Sequence, residues 1–226
     1  MSIFAKYIVD QEWGNYYELT ALGYVALIAL MLLIFSIGFF LFRQRNTKKV
    51  DTKQLVFSAM AIAIAMVTSM LKLFHLPMGG SITLFSMFFI CLVGYLYGLG
   101  AGLTASISYG VLQLIVDPYI ITIPQILVDY IFAFGALGLS GIFCNSKHGL
   151  IKGYILGVIG RYFFSFLSGM IFFGAYAADW NMAAPIYSLL YNGAYLGAEA
   201  VLTLIVLAIP AVNVSIVRIK KMALEM

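Results

Sequence analysis

Charged residues are scarce in this sequence. Asp, Glu, Lys and Arg make up 10% of the 226 residues, whereas 63% are hydrophobic and the mean hydropathy is +1.02. The apolar runs leave no stretch long enough for a soluble domain of useful size. The apolar runs are long and continuous and do not alternate with polar residues over short stretches, which predicts an integral membrane protein of the helical type.

Cysteine and histidine are also rare. Cys91 and Cys144 lie in or beside apolar segments, without the spacing of a metal site or a disulfide framework, so we interpret them as packing residues. His75 and His148 have no partner at metal-binding spacing. The sequence contains no serine–histidine–acid arrangement, zinc motif or Walker sequence. We therefore expect no metal, no cofactor and no means of hydrolysing ATP in this chain.

The formal net charge of +4 comes largely from clusters at the ends of predicted helices. It therefore indicates topology and argues against nucleic acid as a partner. The positive-inside rule places the clusters in the cytoplasm. This predicts a multi-pass protein of the cell membrane, surrounded by membrane lipids, with its N-terminus outside and its C-terminus cytoplasmic. The clusters are Arg43, Arg45, Lys48, Lys49 and Lys53, then Lys147 and Lys152, then Arg218, Lys220 and Lys221.

Seven apolar runs predict an all-α, polytopic membrane helix bundle. We divide the chain at residue 53: residues 1–53 carry an outer segment, a first spanning helix and a basic cytoplasmic linker, and 54–226 form the main membrane domain. The loop Pro77–Thr83 contains proline and glycines, which predicts irregular backbone, with a re-entrant path as one option. The predicted spans are about 19–42, 54–74, 83–97, a run ending at 116, 124–143, 151–173 and 185–217.

The stretch Asp117–Tyr130, DPYIITIPQILVDY, places Asp129 in the first turns of an apolar helix. A carboxylate inside hydrocarbon costs roughly 2.5 to 3.5 kcal/mol on insertion scales, and it persists mostly where it faces a bundle interior or a wet cavity. Asp129 is therefore a candidate site residue. The structural alternative is an ion pair with Arg161, which would let both charges survive burial.

Two later helices carry polar stripes. Arg161, Ser165, Ser168 and Gly169 share one face of the sixth helix, and Tyr187, Tyr191, Tyr195 and Glu199 repeat every four residues on the seventh, with Asn192 beside them. With the proposed topology, several of these groups fall in the outer half of the bundle. This predicts an outward-open cavity lined by aromatic side chains, suited to a small planar or cationic solute. The residues expected in the outer half are Tyr187 and Asn192, together with Tyr119, Asp129, Tyr130 and the loop Pro77–Thr83.

The segments PMGGS, LQLIVDPYI to PQILVDY, RYFFSFLSGMIFFGAYA and IYSLLYNGAYL resemble the thiamine-specific substrate-binding components of energy-coupling-factor transporters. The resemblance covers roughly residues 54–217 and implies a six-helix core, with the first helix as an addition. It also implies a thiamine-binding subunit without enzymatic activity, whose partners are a coupling transmembrane subunit and a pair of ABC ATPases.

The resemblance further implies roles for individual residues. Asp129 matches the family's acidic position, and Tyr130, Tyr119, Tyr187 and Asn192 match ligand-contacting positions. Ser165 stands where the family commonly has a histidine, and Phe173 where a tryptophan serves as a stacking platform. Gln125 and Arg161 complete the expected site. The spacing of Ala59 and Ala63 by itself favours packing inside the bundle, but the resemblance implies that they dock on the coupling subunit.

Three alternatives stay open at this point. The ligand could be a thiamine precursor, an analogue or another vitamin, because Ser165 and Phe173 depart from the family pattern. The protein could be a stand-alone proton-coupled carrier in which Asp129, Arg161 and Glu199 form a relay. It could also be an intramembrane enzyme acting on a lipid, although it lacks paired carboxylates at metal-binding spacing.

Overall fold

A bundle of helices follows residue 51. The computed structural model describes residues 5–10, 14–26 and 51–224, together with residues 3 and 29. Within these residues, five helices are long and apolar enough to cross a membrane, and a sixth, α2, is shorter. These six form the predicted core. The helices are α1 Thr52–Met70, α2 Ser86–Tyr97, α3 Leu99–Val116, α4 Ile123–Phe143, α5 Gly149–Phe172, α6 Ala184–Ala208 and α7 Pro210–Leu224.

Two short hairpins accompany the helices. Strands β1 (Ala5–Asp10) and β2 (Gly14–Leu19) pair antiparallel near the N-terminus, within the outer segment, for which the sequence analysis predicted no strand. Tyrosine, isoleucine and valine favour extended backbone there. Most of the predicted first spanning helix, about 19–42, and most of the basic linker lie outside the described residues.

The second hairpin replaces the ends of two predicted helices. Strand β3 (Lys72–His75) pairs with β4 (Ser81–Thr83) around a short 3-10 turn at Pro77–Gly79. As a result α1 ends at Met70 and does not continue to residue 74, and α2 begins at Ser86 and not at residue 83. The loop Pro77–Thr83, expected to be irregular or re-entrant, is instead the turn and the second strand of this hairpin. We call the end of the bundle that carries β3 and β4 the hairpin end.

The last predicted span is divided into two helices. α6 ends at Ala208, Ile209 is extended (ψ 122°) and α7 starts at Pro210. Proline lacks an N–H and restricts the residue before it to extended backbone, which explains the break. α7 packs at the opposite end of the bundle, where the Lys220 Nζ donates to the carbonyl of Cys144 (2.6 Å) and lies 3.9 Å from the centre of the Tyr95 ring.

Helices α3 and α4 pack with their backbones in close contact. A Cβ added at Gly138 would lie 2.5 Å from the Leu103 nitrogen, and one added at Gly102 would lie 2.7 Å from the Gly138 carbonyl oxygen. Small residues permit this approach, on which helix association in lipid depends. The largest buried cluster lies beside this contact and includes Tyr109, Leu137 and Tyr154.

Helix α2 is too short to cross the membrane, so its N-terminus lies inside the bundle. Its 12 residues span about 18 Å, compared with about 30 Å of hydrocarbon. The free N–H groups of this first turn need partners, because the membrane interior supplies no water. Phe85 stands before the helix in left-handed backbone (φ 63°) and offers no side-chain cap.

Glu199 of α6 supplies the missing cap. Its side chain is 3% exposed. One carboxylate oxygen accepts from the Thr83 hydroxyl (2.6 Å) and the Thr83 N–H (3.3 Å), and the other accepts from the Met87 N–H (3.1 Å) and the Ser86 hydroxyl (3.2 Å). A carboxylate at a helix N-terminus is favoured by the helix dipole as well as by these bonds. Glu199 therefore joins α6, α2 and the β3–β4 hairpin.

Replacing Glu199 is expected to destabilise the ligand-free protein. In Glu199→Gln the new amide N–H₂ faces backbone N–H groups, which can only donate and cannot accept a hydrogen bond. We therefore expect the free energy of unfolding to fall by about 3 kcal/mol, and by more in Glu199→Ala. Thermal unfolding in detergent measures this change. The control is Thr203→Val, one turn along α6, which removes only the hydrogen bond from Thr203 to the Glu199 carbonyl (2.8 Å). This role would be contradicted if the glutamine and alanine variants had the same melting temperature as the wild type.

Candidate functional site

A cavity of about 450 Å³ lies at the hairpin end of the bundle. Most of its wall is formed by α4, α5, α6, the loop before α4 and the β3–β4 hairpin, and α1, α2 and α3 contribute a few residues, among them Tyr109 and Gln113. All nine residues that the sequence analysis expected at a binding site line it. They are Tyr119, Gln125, Asp129, Tyr130, Arg161, Ser165, Phe173, Tyr187 and Asn192.

An irregular helix places the acidic residue. Thr122 caps α4 by accepting from the Gln125 N–H (3.3 Å), and Pro124 occupies the first turn, where a missing N–H is tolerated. From Leu127 to Ala133 the helix then has the wider π form, and from Ala136 to Phe143 the tighter 3-10 form. Wide turns of this kind are frequent at functional sites. The sequence analysis predicted a regular helix here, and no residue pattern signalled the change.

Gln125 connects the acidic residue to the loop before α4. It is 1% exposed. Its Nε2 donates to the Asp129 Oδ2 (2.6 Å) and to the Tyr119 carbonyl (3.1 Å), while its Oε1 accepts from the Ile121 N–H (3.1 Å). A single buried amide thus fixes the side chain of Asp129 and the path of the loop.

The ion pair considered between Asp129 and Arg161 is not formed. Lys72 and Asp117 form the salt bridge found within residues 51–224, at 2.6 Å. The Arg161 guanidinium instead lies over the Phe134 ring, 4.1 Å from its centre. Asp129 and Arg161 therefore both line the cavity without forming a salt bridge with each other.

Aromatic side chains form one wall near the mouth of the cavity. The Tyr119 ring stacks on Phe173, with centres 5.7 Å apart. The Tyr130 hydroxyl accepts from the Tyr119 N–H (2.7 Å) and donates to the Asp117 carbonyl (3.3 Å). A hydrogen bond with Tyr176 raises the pKa of Tyr119 to about 12, so its hydroxyl stays neutral at physiological pH. These contacts hold a flat aromatic surface against the cavity.

The tyrosines of α6 hold the β3–β4 hairpin against the cavity. Tyr187 stacks on Tyr191 with centres 5.5 Å apart. The Tyr191 hydroxyl accepts from the Gly80 N–H (2.9 Å) and donates to the Pro77 carbonyl. A Cβ added at Gly80 would lie 2.9 Å from the tyrosine Cζ, so this contact requires glycine.

Asn192 joins α6 to α5. Its Nδ2 donates to the backbone carbonyls of Ser165 (3.2 Å) and Ser188 (2.9 Å), and its Oδ1 accepts from the Tyr195 hydroxyl (3.0 Å). Tyr191 and Tyr195 also line the cavity. The tyrosine stripe contained both, but the sequence analysis did not single them out. The contact of Tyr191 with Gly80 spans 111 residues, so no local pattern could reveal it.

The two predicted docking residues lie elsewhere. Ala59 and Ala63 are exposed on the outer face of α1, whereas Ala61 and Ala65 are buried against the bundle. Small side chains on an exposed helix face allow another helix to approach closely. The interpretation as packing inside the bundle is therefore wrong for Ala59 and Ala63.

The fold defines a polytopic membrane protein of the helical type, with a cavity of about 450 Å³ among its helices. The family model described as thiamine transporter protein (Thia_YuaJ) matches residues 55–218. The chain belongs to this thiamine transporter family.

Individual relatives agree with this assignment. The chain is 30% identical to the thiamine transporter ThiT of Bacillus subtilis (strain 168) over 168 residues, which is 68% of this chain and 85% of the relative. It is 30% identical to ThiT of Lacticaseibacillus paracasei over 98 residues, 38% of this chain and 48% of that one. A solved structure of ThiT from Listeria monocytogenes superimposes with a TM-score of 0.60 at 27% identity, covering 68% of this chain and 90% of the other. These relatives are named as transporters and not as enzymes.

Proposed function

We propose that this protein binds thiamine in the cavity at the hairpin end, as the substrate-binding component of a vitamin importer. The observation that carries the proposal is a carboxylate without an ion-pair partner, Asp129, in a cavity walled by stacked tyrosine and phenylalanine rings. Thiamine is a cation built from two aromatic rings. Aromatic faces attract such a cation, and a buried carboxylate both accepts hydrogen bonds from its amino group and offsets its charge.

We assign roles to the lining residues on this basis. Asp129, held by Gln125, accepts from the aminopyrimidine, and Tyr130 keeps the neighbouring loop in place. The Tyr119–Phe173 pair and Tyr187 supply the ring faces. A second group of residues, Arg161, Ser165 and Asn192, provides the polar contacts on α5 and α6. A volume of about 450 Å³ is within the usual range for pockets that enclose small molecules.

Two departures from the family pattern bear on the choice of ligand. Ser165 and Phe173, at the positions where the resemblance implies histidine and tryptophan, both line the cavity. A serine leaves more room than a histidine, and a phenylalanine offers a weaker cation–π surface than a tryptophan. A thiamine precursor or analogue is therefore the second candidate ligand.

The hairpin end is proposed to face the outside. Lys147 and Lys152 adjoin the turn between α4 and α5, at the opposite end, and Lys220 of α7 contacts Cys144 there. The positive-inside rule assigns this basic end to the cytoplasm, together with the C-terminus. Thiamine would then be captured from the outer face.

Energy is proposed to come from partner proteins: a coupling transmembrane subunit and a pair of ABC ATPases. The exposed surface around Ala59 and Ala63 is the proposed docking face for the coupling subunit. The alternative of a proton relay is disfavoured for Glu199, because four hydrogen-bond donors already occupy its carboxylate. Uptake that collapses with the proton gradient but survives loss of the ATPases would favour that alternative.

Isothermal titration calorimetry on the purified full-length protein tests the ligand. We expect saturable 1:1 binding of thiamine, and much weaker binding of its separate aminopyrimidine and thiazole halves, since each half satisfies only part of the cavity. A folded protein that binds one half as tightly as thiamine would reassign the substrate to that precursor. No binding of thiamine would contradict the proposal.

A further inference from the structure

Ser168 carries a buried hydroxyl without a hydrogen-bond partner. Its side chain is 1% exposed and lines the cavity on α5. Among the described residues, the other buried side-chain oxygens without a partner are the hydroxyls of Ser81, Tyr97 and Tyr154. Tyr97 and Tyr154 do not line the cavity, and Ser81 is only half-buried. Ser168 thus combines full burial with a free polar atom at the site.

A free hydroxyl is unusual on a helix in this bundle. Serine and threonine normally donate to a carbonyl one turn back. Ser69 donates to the Met66 carbonyl (2.7 Å), Ser106 to the Leu103 carbonyl (3.0 Å) and Thr203 to the Glu199 carbonyl (2.8 Å). Ser168 makes no such bond. A buried hydroxyl left unpaired costs free energy, and each native example calls for an explanation.

The Ser168 hydroxyl lies beside the Asp129 carboxylate on the cavity wall, but the two do not form a hydrogen bond of normal length and angle. A carboxylate can only accept hydrogen bonds, whereas a hydroxyl can also donate one. Side by side, they present an acceptor and a donor to the same edge of a ligand. The 4-amino group of thiamine and the ring nitrogen next to it present the matching donor and acceptor.

We propose that Ser168 is a ligand-binding residue that determines specificity, donating its hydroxyl to this ring nitrogen while Asp129 accepts from the amino group. The inference rests on the proposed binding of thiamine in this cavity. The ligand would then supply the well-aligned hydrogen-bond partner that the Ser168 hydroxyl lacks in the empty cavity. A site built in this way discriminates strongly against a ligand that lacks the ring nitrogen, because the hydroxyl is then left unpaired.

The test combines Ser168→Ala with a changed ligand. Calorimetry on the full-length protein measures the Kd of thiamine and of an analogue whose pyrimidine nitrogen beside the amino carbon is replaced by C–H. We expect Ser168→Ala to weaken thiamine binding about tenfold, the usual loss for one hydrogen bond. With the analogue, the wild type and the variant should bind within about twofold of each other, because the bond is absent in both.

The melting temperature of the ligand-free protein distinguishes a ligand-binding role of Ser168 from a structural role. Ser168→Ala should leave the melting temperature of the ligand-free protein unchanged or higher, since a methyl replaces an unpaired hydroxyl. The matched control is Ser140→Ala, another fully buried serine, which lies away from the cavity and donates to the Cys91 carbonyl (3.0 Å). It should melt earlier yet keep the wild-type Kd.

The outcomes are distinct. Equal thiamine affinity in wild type and Ser168→Ala would overturn the inference while leaving the proposed function intact. An equal loss for thiamine and the analogue would also overturn it, because the effect would then not involve the ring nitrogen. If the folded wild-type protein binds no thiamine, the proposed function itself fails.

Discussion

Replacing Asp129 by asparagine is expected to weaken thiamine binding about 100-fold. Asparagine preserves the size of the side chain and an oxygen that can accept from Gln125, which now donates at 2.6 Å. It removes the negative charge that would face the cationic ligand. Removing one partner of a buried, hydrogen-bonded charge pair costs roughly 2 to 5 kcal/mol, and 100-fold corresponds to about 2.7 kcal/mol.

Calorimetry, with melting of the ligand-free protein alongside it, measures this effect. Since the Asp129 carboxylate has no cation within salt-bridge distance, its loss should not destabilise the empty protein. Asp179→Asn is the control: it removes an exposed carboxylate at the same end of the bundle, and Asp179 does not line the cavity. A Kd that changes less than threefold in Asp129→Asn would show that the charge of Asp129 does not contribute to thiamine binding.

Enlarging Ala59 and Ala63 is expected to abolish uptake and leave ligand binding unchanged. The double variant Ala59→Leu, Ala63→Leu stays apolar and helix-forming, so it remains compatible with lipid. Both alanines are exposed and lie outside the cavity lining, which predicts a Kd within twofold of wild type. Two leucine side chains on this face would hold α1 away from a docked helix. Close contact between two helix backbones depends on small residues.

Uptake of labelled thiamine by cells that carry the coupling proteins measures the first effect, and calorimetry the second. Ala208→Leu is the control, because it places one leucine at an exposed alanine of another spanning helix, α6. Wild-type uptake in the double variant would show that this face of α1 does not dock on a partner. Loss of binding as well as uptake would instead indicate a folding defect.

The expected effects on affinity and stability distinguish three parts of the molecule. Asp129 and Ser168 belong to the cavity and should change affinity without changing the empty fold. Glu199 should change the stability of the empty fold, because it holds the start of α2 inside the bundle. Ala59 and Ala63 should change neither. A protein in which these three behaviours could not be separated would not have the architecture described above.

The sequence by itself determined the class of the protein, and it predicted nine residues that line one cavity. Spanning helices can be predicted because the thickness of the hydrocarbon layer sets a minimum length for an apolar run. A charged residue within such a run, such as Asp129, is rare and therefore easy to identify. The nine expected site residues line one cavity for the same reason: polar side chains in apolar helices turn away from lipid. For α1 the sequence showed only the spacing of its alanines. The structure shows that Ala59 and Ala63 are exposed on the outer face of the helix.

Only the tertiary structure decided how the polar groups are paired. The sequence allowed an ion pair between Asp129 and Arg161, but Arg161 lies over Phe134. It allowed Glu199 in a proton relay, but the carboxylate caps a helix that begins more than 100 residues earlier in the chain. Ser168 was one of the polar stripe on the sixth predicted helix, but only the structure shows that its hydroxyl lacks a well-aligned partner, and the π form of α4 has no signature in the sequence. Hydrogen bonds depend on distances of tenths of an ångström between distant segments, which the order of residues does not record.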